Sequence, residues 1–71
     1  MMAMTYAQAV RRLFNESGIT QADFARRTGF STAYVSMLLS GKVSEPKFGK
    51  ACVIADALGV TLEDFRRLMY D

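Results

Sequence analysis

The sequence predicts an all-α domain of five helices. Two observations carry the prediction. Glycines at positions 18, 29, 41 and 59 divide the 71 residues into helix-length segments, and a capping hydroxyl or a proline opens each one: Thr5, Thr20, Ser31, Pro46 and Thr61. Within the segments apolar residues recur at three- and four-residue spacing, the period of an amphipathic helix, and nothing reads as a strand. No repeat, linker or low-complexity tract intervenes, and connections of about two to six residues argue a compact bundle.

The elements follow in order. Thr5 caps a first helix that runs to about Ser17, with Val10, Leu13 and Phe14 on its inner stripe and Gly18 as its stop. Thr20 caps the second, with Asp23 in its favourable first turn, Phe24 and Ala25 facing inward and Gly29 ending it. Ser31 caps the third, whose buried face is Val35, Leu38 and Leu39, and Gly41 ends it. Residues 42–46 form a loop, with Pro46 at or near the start of helix four. Phe48, Cys52, Ala55 and Leu58 step down one face of that helix to Gly59, and Val53 is expected at its surface. Thr61 caps the fifth helix, with Leu62, Phe65, Leu68 and Met69 as its inner stripe.

Composition narrows the function. There is no histidine, and the single cysteine, Cys52, allows neither an internal disulfide nor a thiolate metal site. With no phosphate-cradling glycine loop and no acid pair, no catalytic residue, metal or cofactor is expected. Cys52 on an apolar stripe reads as a structural thiol. No apolar run is long enough for a membrane span. The opening MMAM is followed by Arg11 and Arg12, the reverse of a secretory signal, so the expected setting is the cytoplasm.

Charge is uneven. Through Lys50 there are seven basic residues against three acidic; from Ala51 onward there are two basic against four acidic. A basic front suits a polyanion met by one end of the molecule.

Helices two and three are joined by only about four residues around Gly29, which forces them to cross steeply. That is a helix-turn-helix unit, at about residues 20–41, whose second helix can enter the major groove while the first lies across the backbone. The residues Gly18-Ile19-Thr20-Gln21, Phe24-Ala25, Gly29, Ser31, Tyr34-Val35-Ser36, Gly41, Ala55, Leu58-Gly59-Val60 and Leu62 together resemble the phage repressor and Cro (XRE-type) helix-turn-helix family. The likeness runs from about Val10 to Leu68 without a gap.

The resemblance implies one lambda-repressor-like DNA-binding domain over residues 1–71 that binds duplex DNA and regulates transcription, repressor-like, as a homodimer. It makes Ser31, Thr32, Ala33, Ser36 and Met37 base-facing, with Ser40 at the groove edge. Thr20, Gln21, Ser40, Lys42, Ser44 and Lys47 become phosphate-contacting, with Lys50, Arg26 and Arg27 as further basic residues nearby. Short side chains suit close approach, hydroxyls bond to several base edges, and Ala or Met can touch a thymine methyl. The surface holds no Arg, Asn or Gln for bidentate base contacts, and Glu45 sits in the phosphate-facing loop. Sequence preference is therefore expected to be weak or to come partly through DNA shape.

Many members pair an Arg on helix one with a Glu late in helix three. Phe14 and Leu39 hold those positions here, so both charges are gone together and the two are expected to meet in the core. Members commonly dimerise through helix five and the turn before it, which implicates Val53, Phe65, Met69 and Tyr70. The alternative is a protein-binding module: the same surface taking a toxin, as in antitoxins of this fold, or a regulatory subunit.

Overall fold

In the computed structural model, which describes residues 3–43 and 45–70, five helices follow one another: α1 (Tyr6–Ser17), α2 (Gln21–Thr28), α3 (Thr32–Ser40), α4 (Phe48–Leu58) and α5 (Leu62–Tyr70). The described residues contain no strand. None of the helices is long and apolar enough to cross a membrane.

Four of the five starts are closed by the expected side chains. Thr5 Oγ1 accepts from the Gln8 amide while Gln8 Oε1 accepts from the Thr5 amide, a reciprocal capping box. Thr20 Oγ1 and Ser31 Oγ each accept from the amide three residues on. Thr61 and Asp64 form a second reciprocal box at α5. The start of α4 has Pro46 near it, as expected, but no side-chain cap. Pro46 precedes the helix, and Lys47 is its N-cap without a side-chain hydrogen bond. No hydroxyl or carboxamide stands at that position to accept one.

At the helix-turn-helix turn, Gly29 has φ +79°, a left-handed conformation that side-chain-bearing residues adopt only at a cost. Gly41 has φ +88°, and a Cβ there would lie 3.7 Å from that of Ala7, an ordinary contact, so the left-handed backbone and not the space is what calls for glycine.

The packing is centred on α1, which touches α3, α4 and α5, while α2 packs on α3 and α4. Ala9, Val10, Phe24, Val35, Leu38 and Ile54 are fully buried. Phe14 is half-buried and packs its ring on Phe24 at 5.6 Å between centroids; Leu39 is buried. Phe14 and Leu39 line one cleft between α1 and α3.

Two assignments to the core change, and one to the partner surface. Phe48, expected at the head of the α4 stripe, is 74 % exposed. The buried face of α4 is Ile54, Ala55, Ala57 and Leu58, with Cys52 half-buried. A helix turns about 100° per residue, which leaves Phe48 at the edge of that stripe and in the first turn. Leu62, the first residue of α5, is likewise exposed. Phe65, by contrast, is buried at 4 % and stacked on Tyr6, so it is a core residue and not part of a dimer surface. Its ring fills the space between α1 and α5, where a second chain has no access.

Candidate nucleic-acid interface

Three residues, Gly29 to Ser31, connect α2 to α3. Phe30 in this turn packs edge-on against Tyr34, centroids 4.9 Å apart. Ala25 is buried on α2, which packs on both α3 and α4. With Val35, Leu38 and Leu39 turned to the core, the outer side of α3 is left to Thr32, Ala33, Ser36, Met37 and Ser40, all exposed and all uncharged. Thr32, Ser36 and Ser40 succeed one another at four-residue spacing, as do Ala33 and Met37, so the five form one strip.

The hydroxyls on and around this strip are not equivalent. Ser31 Oγ is committed as a cap, Thr20 Oγ1 likewise, and Ser40 Oγ donates to the Met37 carbonyl. Thr32 and Ser36 make no side-chain hydrogen bond among the described residues, so both hydroxyls are free to donate and accept.

The basic residues sort in the same way. Arg12 pairs with Glu16 at 3.1 Å, and Arg26 pairs with Asp23. Arg27 Nη1 donates to the Ala57 carbonyl at 3.2 Å, closing the C-terminal end of α4. Arg66 and Arg67 both pair with Glu63. Lys50 Nζ sits 4.7 Å from the Tyr34 ring centroid and 6.0 Å from that of Phe30, a cation over the aromatic turn. Lys42 and Lys47 are exposed and carry no ion pair among the described residues, with exposed Glu45 between them in the loop. Gln21 is exposed on the first turn of α2. Ser44 lies outside the described residues.

An open cleft of about 440 Å³ runs beside the strip, lined by Arg11, Phe14, Asn15, Gln21, Ser36, Leu39 and Ser40. Sequence reading did not single out Arg11 or Asn15. The available signal was their position on α1, three residues before and one after Phe14, on the edge that faces α3.

Of the residues expected at a partner surface, Tyr70 is 70 % exposed, Val53 is exposed and Met69 is half-buried. Phe48 and Leu62 add further exposed apolar area. On α5, hydrogen bonding from Arg66 holds the Glu63 carboxyl below its usual range, and the Thr61 amide does the same for Asp64.

A family model described as helix-turn-helix matches residues 10–65, from within α1 to within α5. The chain belongs to the phage repressor-like helix-turn-helix family. No match was found among curated proteins or among solved structures. Membership in this repressor-like family makes the chain a DNA-binding helix-turn-helix domain.

Proposed function

We propose that this repressor-like domain binds duplex DNA as a homodimer in the cytoplasm and regulates transcription. In this reading α3 enters the major groove, Thr32 and Ser36 meet base edges, and Ala33 and Met37 touch thymine methyls. Gln21, Lys42 and Lys47 hold phosphates. The observation that carries the reading is the uncharged, exposed strip of α3 together with two lysines that have no acidic partner among the described residues. Affinity then comes mainly from the backbone, and selectivity is modest because no side chain of the strip can make a bidentate base contact.

The exposed apolar residues Val53, Leu62 and Tyr70 support a protein interface on α4 and α5, taken here to be the two-fold contact of the dimer. Selection of bound sequences from random duplexes at fixed salt tests the proposal. Modest enrichment of a two-fold-symmetric pattern is the expected result. A folded protein that binds no duplex at low salt overturns it in favour of the antitoxin or regulatory-subunit reading.

A further inference from the structure

The reading strip of α3 lacks every side chain able to make two hydrogen bonds to one base or phosphate. The cleft beside it supplies them from other helices. Arg11 and Asn15 come from α1 and Gln21 from α2, and they share the cleft with Ser36 and Ser40 of the strip. Arg11 and Asn15 are four residues apart and lie on one face of α1. Among the described residues, no acidic one lines this cleft. Phe14 and Leu39 supply its apolar lining, so no carboxylate at either position draws the guanidinium away.

Every other arginine among the described residues is engaged by a carboxylate or a carbonyl. Arg11, also exposed, is the one arginine that makes neither an ion pair nor a hydrogen bond among the described residues. Glu45 lines the neighbouring groove that Arg11 also borders, yet no ion pair joins them.

We infer that Arg11 is a DNA-phosphate contact, its guanidinium gripping a backbone phosphate at the α1 flank of α3 with the Asn15 and Gln21 amides beside it. This rests on the DNA-binding reading above and adds an anchor from α1, a helix outside the helix-turn-helix unit. A guanidinium presents a planar fork that matches phosphate oxygens two at a time, which fixes orientation as well as adding affinity. Lys42 and Lys47 act from the loop after α3, so contacts from two directions set the register of a strip that reads bases only weakly.

The test is a set of anisotropy titrations on unrelated duplexes at several salt concentrations, with helicity checked by circular dichroism. It compares wild type, Arg11→Ala, Arg11→Lys and Lys42→Ala. Arg11→Ala is expected to weaken binding about tenfold at low salt on every duplex. It is also expected to reduce the slope of log affinity against log salt by about 0.9. Arg11→Lys is expected to restore the slope but only part of the affinity, because an ammonium cannot make the forked contact. If folded Arg11→Ala keeps wild-type affinity and slope while Lys42→Ala lowers the slope, the Arg11 assignment fails and the DNA-binding reading stands. If folded wild type binds no duplex at low salt, both fail.

Discussion

The ring of Tyr6 lies stacked on that of Phe65, centroids 5.1 Å apart and planes within 10° of parallel. The pair joins the first helix to the last, and the Met4 amide reinforces the closure by donating to the Leu68 carbonyl at 3.2 Å. Tyr6 brings a hydroxyl into the interior with it, and that oxygen is buried without a hydrogen-bond partner among the described residues.

An unpaired buried hydroxyl loses its water and gains nothing in return. Tyr6→Phe keeps the stacked ring and removes the oxygen, so it is expected to stabilise the domain by roughly 1 kcal/mol at neutral pH in urea unfolding. Burial, then the nearby Tyr34, Glu45 and Cys52, push the Tyr6 phenol above its ordinary value. The folded chain therefore keeps its proton where the unfolded chain loses it. Stability from this source is complete below about pH 10 and declines as pH rises beyond it. Tyr6→Phe should flatten that alkaline decline; an unchanged alkaline profile would show that another group causes it.

Phe65 and Tyr70 separate the core from the proposed interface. Phe65→Ala is expected to cost about 3–5 kcal/mol whatever the protein concentration, because it empties the space between α1 and α5. Tyr70→Ala and Val53→Ala are expected to change monomer stability by no more than about 0.5 kcal/mol. Sedimentation should show both shifted from dimer toward monomer. Dimers that survive both substitutions would move the interface elsewhere.

Binding energy and selectivity should divide between residues. Lys42→Ala and Lys47→Ala are each expected to weaken all duplexes alike and lower the salt slope by about one. Thr32→Ala and Ser36→Ala, which remove the two uncommitted hydroxyls of the exposed α3 strip, should change preference among duplexes and leave the slope nearly intact. Equal binding of every duplex by those two variants would remove α3 as the reading element.

Acid should loosen α5. The Glu63 and Asp64 carboxyls are held below their usual range by Arg66 and by the Thr61 amide, respectively. A depressed carboxyl stabilises the fold above its ordinary value, and that contribution is lost as pH falls through the lower, folded value. The melting temperature should therefore fall below about pH 4, and less steeply in Asp64→Asn. An identical acid profile for that variant would exclude the Thr61–Asp64 box as a source.

The helix ends were legible because their causes are local. A hydroxyl at 5, 20, 31 or 61 accepts from an amide three residues on, and glycine at 18, 29, 41 or 59 ends a helix in a left-handed turn. The pattern of those caps and stops, with Phe24-Ala25 and Val35 between them, was also sufficient for the family.

The side chains whose partners lie far along the chain were not legible. Arg27 reaches Ala57, thirty residues away, and Lys50 reaches back to Tyr34. Either could have passed for a free phosphate contact in the sequence, where Arg11 stood as one arginine of an adjacent pair. Phe48 and Phe65 carry the same apolar ring and both sit at plausible stripe positions, yet one is exposed and the other is buried. Periodicity shows that a helix has an apolar side. Which residue of that side is covered depends on where the neighbouring helix lies, and only tertiary packing decides that.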